Sequence, residues 1–229
     1  MVNKIKINHK VRAIFPVVCI ILLSMVTAEA QTRYFVSLGG TTSFGGNTST
    51  FFAKVPISWS LDLEIDKKVF GSLYVVTGLS SFGIGYTASK SLFTPSSSEY
   101  SARYVCVPLM ARLNVGNRNF FCLDFGLNTM YLVQANLHES QDKFGTMRDY
   151  EGAITPYMNR FYQSIKFQET FAVNRFTFSL FIIAQFKGQQ PINGLADHWG
   201  LNAQQSTFLN SNGYSDFFIG GLKAGYRIR

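Results

Sequence analysis

The sequence predicts an all-β fold, an eight-stranded antiparallel up-and-down transmembrane β-barrel. Three observations predict it. Apolar and polar residues alternate with a period of two over long segments, which indicates strands with one apolar side. The connections between these segments alternate between long and short, as in barrels that cross a membrane. Charged residues make up only 15% of the chain and aromatic residues another 15%, whereas a soluble domain usually carries more charge.

Residues 1–30 are predicted to be a cleaved signal peptide, which leaves residues 31–229 as one barrel domain. Four basic residues lie between positions 4 and 12, an apolar stretch follows at 13–26, and Ala28-Glu29-Ala30 forms a small-residue cleavage signal. The alternative is a membrane anchor, but the apolar stretch is too short to span a bilayer as a helix.

The longest alternation lies in a predicted hairpin, residues 104–137. Its first arm ends at Val115, a tight turn follows at 116–119, and its second arm begins at Phe120. Strands of roughly 10 to 12 residues are long for a soluble sheet and long enough to cross a bilayer at a tilt. The apolar face consists of Val105, Val107, Leu109, Ala111, Leu113 and Val115 in the first arm and Phe121, Leu123, Phe125, Leu127, Thr129, Tyr131 and Val133 in the second.

Six further segments show the same alternation and complete the eight strands. They are 34–41, 51–65, 70–86, 161–173, 176–187 and 217–229. The long connections are 42–50, 87–99, 138–160 and 188–216, and the short ones are 66–69, 116–119 and 174–175. We therefore expect both termini and all short turns at one end of the barrel, in the periplasm, and the long loops at the other.

The alternative is a soluble lipocalin-like barrel, which has its apolar face inside. The polar face here carries few charges and the apolar face is bulky on nearly every strand, which favours the membrane. Aromatic residues also gather near the strand ends, as in interfacial girdles. They are Tyr34, Phe70, Phe120, Phe176 and Tyr226 at one end and Phe51, Phe52, Tyr100, Tyr104, Phe161 and Phe186 at the other.

Three residues do not fit regular strands. Glu169 falls on the apolar face of its strand, where a charge is costly, so we expect a bulge or a register slip nearby. Pro56 and Pro108 each remove a ladder donor from a predicted strand, and we expect local bulges at both.

Arg112 and Asp124 lie on the polar face of the hairpin, at positions that allow them to pair across the ladder. Eight-stranded barrels are normally filled by side chains, so we expect an interior ion-pair network, with a narrow ion path as the alternative. Cys106 should lie opposite residue 130, far from Cys122, so both are expected to be reduced. The other residues expected inside are Lys54, Asp62, Glu64, Arg103, Lys166, Lys223 and Arg227.

No catalytic, cofactor-binding or metal-binding residues are assigned. His138-Glu139-Ser140 has the residue types of a lipid-deacylating barrel, in which a histidine takes the proton of a serine hydroxyl, but three common residues in a row are weak evidence. Asp197-His198-Trp199 is weaker still, and no cluster has the spacing of metal ligands. The basic excess is not clustered, which argues against nucleic-acid binding.

The mature chain resembles the PorT-like outer-membrane β-barrel domain proteins of Bacteroidetes. The resemblance rests on the signal peptide, the eight strands, the segment 104–109 (Tyr-Val-Cys-Val-Pro-Leu) and the closing segment 221–228 (Gly-Leu-Lys-Ala-Gly-Tyr-Arg-Ile). Barrels of this kind often end on an aromatic residue, whereas this chain ends on Arg229. The resemblance implies an outer-membrane barrel and no catalytic residues.

The functional expectation is a non-enzymatic outer-membrane protein that is structural or binds partners. Its contacts would be outer-membrane lipid and a protein partner that binds loops 138–160 and 188–216, because loops carry function on a rigid scaffold. The alternatives are a lipid-modifying hydrolase that uses His138 and Ser140, and a small-solute channel.

Overall fold

The computed structural model describes residues 32–44, 57–89, 96–115, 120–143, 146–186 and 218–228. The predicted signal peptide lies outside them. No helix among these residues is long and apolar enough to cross a membrane. The strands are β1 (Thr32–Phe44), β2 (Ser58–Phe70), β3 (Leu73–Ser89), β4 (Ser96–Val115), β5 (Phe121–Lys143), β6 (Thr146–Ala153), β7 (Phe161–Val173), β8 (Phe176–Gln185) and β9 (Phe218–Arg227), with a 3-10 helix at Thr155–Tyr157.

Eight of these strands close into an antiparallel barrel, as the sequence predicts. Consecutive strands pair in the order β1-β2-β3-β4-β5-β7-β8-β9, and β9 pairs again with β1. Following the register from Tyr34 across all eight strands leads to Phe218, whereas Tyr34 itself accepts a hydrogen bond from the backbone of Ile228. The ring closes with this offset of ten residues along β9, and such a stagger tilts strands by about 40° from the barrel axis.

The barrel is apolar outside, and every second residue faces inward. The outward positions carry large exposed side chains, while the intervening positions are buried. This polarity fits a transmembrane barrel and not the lipocalin-like alternative, because lipid, unlike water, accepts the bulky apolar surface. Examples of the outward residues are Leu63, Leu79, Val107, Phe125, Phe178 and Leu222.

The central hairpin has the predicted register. Arg112 lies opposite Asp124, and Cys106 lies opposite Met130. Cys106 and Cys122 are free and buried, which confirms that they do not pair with each other.

The short turns gather at one end, here called the turn end, and the opposite end is called the loop end. Gly71 and Asn174 adopt left-handed φ angles of 53° and 57° in the turns after β2 and β7, conformations that suit glycine and asparagine. The predicted turn at 66–69 is wrong, because β2 continues to Phe70.

The predicted loop at 138–160 is also wrong for residues 138–143 and 146–153, which are strand. β5 continues to Lys143 and folds back as β6, so that a β5–β6 hairpin extends beyond the barrel at the loop end. The chain then crosses to β7 through the 3-10 helix. The segment 188–216 lies outside the described residues.

A one-residue β-bulge interrupts the pairing of β4 with β5. Arg103 lies opposite Gln134, while the next residue, Tyr104, lies opposite Leu132, so Val133 is the extra residue. A bulge shifts the alternation of the strand that carries it. Beyond this point the even-numbered residues of β5 face outward, and Ala135 and Leu137 are buried.

The bulges or register slips expected at Pro108 and Glu169 do not occur. The β3–β4 ladder skips Pro108 and Val107 but resumes in the same register, so the proline causes a gap rather than a bulge. Glu169 lies between Leu123 and Leu180 in an unbroken register. Its carboxylate therefore stays on the outer face. Pro56 lies outside the described residues.

Candidate functional site

Arg112 on β4 is the centre of a buried ion-pair network in the half of the barrel nearer the turn end. Its Nε and Nη2 donate to the two carboxylate oxygens of Asp124, both at 2.7 Å. Its Nη1 donates to Asp66 at 2.8 Å, and its Nη2 also reaches Glu64 at 3.1 Å. Arg33 binds Asp66 through two further bonds of 2.8 and 2.7 Å. Bidentate pairs of this kind are strong and directional.

Lys223 on β9 continues the network. Its Nζ lies 2.6 Å from a carboxylate oxygen of Asp62 and 2.6 Å from one of Glu64, and Lys166 lies 3.8 Å from Glu64. The network thus joins four cationic and four acidic side chains, and all eight are buried. The charges balance, as a water-poor interior requires.

The predicted pair of Arg112 and Asp124 is confirmed, and Asp62, Glu64, Lys166 and Lys223 also face the interior as predicted. One other prediction is wrong. Arg103 faces outward, where its guanidinium lies 4.7 Å from the ring centre of Trp59. Arg227 lies on the inward face of β9 with Lys223, but at the rim of the turn end, where it donates to the backbone of Asn174. Lys54 lies outside the described residues.

Sequence reasoning missed Arg33 and Asp66. The predicted strands began at Tyr34 and ended at residue 65, one position away from each. The signal was present in the sequence, because Asp62, Glu64 and Asp66 continue the period of two.

An aromatic plug fills the barrel above the network, toward the loop end. The ring centre of Tyr104 lies 5.6 Å from that of Phe82 and 6.0 Å from that of Tyr162. The prediction that Tyr100 and Tyr104 belong to the outer girdle is wrong. Both have even numbers, as Cys106 does, and the even-numbered residues of this part of β4 face inward. The plug consists of Phe82, Ile84, Tyr100, Tyr104, Met130, Leu132, Tyr162, Phe181, Ile183 and Ile219.

The rest of the described girdle faces outward. Its exposed aromatic side chains are Tyr34, Phe70, Phe120, Phe176 and Tyr226 at the turn end and Phe161 and Phe186 at the loop end. Phe51 and Phe52 lie outside the described residues.

The network and the plug fill successive layers of the lumen. A cavity of about 10 Å³ lies between Arg33, Arg112, Cys122 and Arg227 at the turn end, which is about the space of one water molecule. The described residues favour a filled barrel over an ion path.

His138 and Ser140 face outward on the β5 extension, and the buried Glu139 between them faces inward. They follow each other on one face of a strand, where such residues are about 7 Å apart. Among the described contacts, no hydrogen bond joins His138 to Ser140. Glu99 and Glu151 are the neighbours of His138 across the ladder. The described contacts therefore do not join His138 and Ser140 into a nucleophile–base pair.

The described residues contain no group of histidine, cysteine and acidic side chains arranged to hold a metal ion. The segment Asp197-His198-Trp199 lies outside them.

No protein-family model and no curated protein sequence matches the chain. Among solved structures, Ail, the attachment invasion locus protein of Yersinia pestis, is similar over 88% of this chain and 100% of its own, with 11% identity and a TM-score of 0.40. Ail has also been solved with the heparin analogue sucrose octasulfate. CarO of Acinetobacter baumannii is similar over 83% of this chain and 96% of its own, with 9% identity and a TM-score of 0.41. Neisserial surface protein A is similar over 87% of this chain and 98% of its own, with 9% identity and a TM-score of 0.34.

Proposed function

We propose that this chain is a non-enzymatic outer-membrane protein whose filled barrel is a scaffold and whose loop end binds a protein partner. Residues 1–30 export it, and both termini and the short turns lie in the periplasm. The apolar exterior supports residence in the bilayer. The motifs at 104–109 and 221–228 support membership of the PorT-like barrels.

The observation that carries this proposal is the β5–β6 hairpin at the loop end. Among the described strands, β6 pairs with β5 alone, so its other edge is not paired with any of them. An unpaired edge can add a strand from a partner, whose backbone supplies the hydrogen bonds. Asp149 and Glu151 are exposed on β6, and such charges oppose aggregation through a free strand edge. The segment 188–216 adds Trp199, Phe208 and Tyr214, residue types that anchor protein contacts.

A photo-crosslinking residue placed at Glu151 in living cells tests the partner. We expect a discrete protein adduct there and none at Phe176, an exposed control position near the turn end. Equal adducts at both positions, or adducts with lipid alone at 151, would contradict partner binding at the loop end.

The alternatives have their own readouts. A hydrolase would release acyl chains from lipid A or phospholipid, and His138→Ala would abolish that activity. A channel would show conductance in planar bilayers. We expect neither, because His138 and Ser140 are not bonded to each other and the described interior is filled.

A further inference from the structure

A polar groove of about 150 Å³ lies on the outer surface of the barrel. Residues from β2, β3, β4 and β5 form it. Its lining consists of Ser58, Trp59, Gly83, Ile84, Ser101, Ala102, Arg103, Gln134 and Asn136.

The groove lies where the apolar exterior ends. On β4 the outward positions are apolar from Val115 to Val105 and become polar at Arg103. Ten residues of a tilted strand span about 25 Å, which is the height of the apolar band in membrane barrels. Trp59 stands beside Arg103, and tryptophan is enriched at this depth. The groove is therefore at headgroup level in the leaflet at the loop end.

The β-bulge and Gly83 shape the groove. Without the extra residue, Val133 would lie opposite Arg103 and the amides of Gln134 and Asn136 would face inward. The bulge instead places Gln134 opposite Arg103 on the outer face. On the other side of Arg103 lies Gly83, and a Cβ atom there would approach the Ser58 side chain to 3.0 Å. The groove thus depends on Gly83 and on the bulge at Val133. β-Bulges often redirect side chains next to functional sites.

The charge of the groove selects an anion. Arg103 is exposed, and among the described residues no carboxylate lies within ion-pair distance of it. Trp59 supports one face of its guanidinium, which leaves its N–H donors free to bind oxygen. Planar guanidinium groups bind phosphate through two bonds. Gln134 and Asn136, 3.5 Å apart at their amide atoms, add neutral donors and acceptors for sugar hydroxyls.

We propose that this outer groove binds the phosphate of a lipid headgroup, while the acyl chains of that lipid lie along the apolar wall below Arg103. The site gives the proposed lipid contact a definite position and chemistry. Only the choice of leaflet that supplies the lipid depends on the proposed orientation.

Native mass spectrometry of the folded full-length barrel in detergent tests the site, with diphosphoryl lipid A and dephosphorylated lipid A of the same acyl chains as probes. We expect the diphosphoryl form to bind at least about tenfold more tightly, since hydrogen bonds to charged groups are strong. Arg103→Gln should remove that preference and Arg103→Lys should retain part of it. Arg160→Gln, an exposed arginine that bonds to Tyr131, is the matched control and should bind as the wild type does.

Two results would overturn the proposal. One is equal affinity for the two lipids, or an Arg103→Gln barrel that is folded and still distinguishes them. The other is displacement of bound lipid A by inorganic phosphate at equal concentration, which would indicate a free-anion site. Binding in micelles does not depend on orientation or on a protein partner, so failure here leaves the proposed function untouched.

Discussion

Replacing Arg112 by alanine removes the centre of the ion-pair network. Arg112 donates four hydrogen bonds to three carboxylates, and its side chain is 3% exposed. The variant leaves four acidic groups facing three cations in a closed interior. Breaking a buried pair by removing one partner typically costs about 3–5 kcal/mol. We expect a loss of that size in the free energy of unfolding.

The assay is urea unfolding in lipid vesicles, followed by the gel mobility of unheated samples, because a closed barrel migrates faster than the unfolded chain. Lys68→Ala, an exposed residue near the turn end, is the control and should change stability little. The double variant Arg112→Ala with Asp124→Ala restores the charge balance. It should be more stable than the sum of the two single losses implies.

The reasoning fails if Arg112→Ala and Lys68→Ala have the same effect. It also fails if the two single losses add without coupling, because the two side chains would then not share a buried network.

Three further predictions test topology, packing and the outer face. An epitope tag at 210–211 should be detected on intact cells, while one within 116–119 should need permeabilisation; the reverse pattern would invert the proposed orientation. Gly221→Ala should cost about 1–3 kcal/mol, because its methyl group would press on the carbonyl oxygen of Gly40 and on the ring of Phe181; Phe181→Leu relieves only the second contact and should recover part of this loss in urea unfolding. Glu169→Leu should stabilise the barrel in vesicles by about 1 kcal/mol, since a carboxylate leaves the lipid face; a loss would mean that Glu169 has a partner there.

Alternation in the sequence predicts most of the interior, because a strand turns successive side chains to opposite faces. It places Arg112, Asp124 and Lys223 correctly. The distance of Tyr100 and Tyr104 from the strand end predicts a girdle position instead, and that prediction is wrong. Their even numbers already placed them inside with Cys106.

The bulge at Val133 was not predictable from local residues. Val133 is a good strand former, and its neighbours continue the alternation on either side. The bulge follows from how β4 and β5 meet, and it decides the outward direction of Gln134 and His138. The β5–β6 hairpin was missed because its polar residues resemble those of a solvated loop.

The network also restricts the register in which the barrel closes. A slip of one residue turns every side chain of a strand to the opposite face. On β2 a slip would point Asp62, Glu64 and Asp66 at lipid, at a cost of several kcal/mol per ion. It would also leave Lys223 without its carboxylates and Arg112 with Asp124 alone. We infer that these charges specify the register. With all three acidic residues changed to leucine, both faces of β2 would be apolar, and cysteine pairs placed one residue out of register between β1 and β2 should form disulfides that the native barrel does not allow. If only in-register pairs form in that variant, the turns and the apolar face are sufficient to set the register.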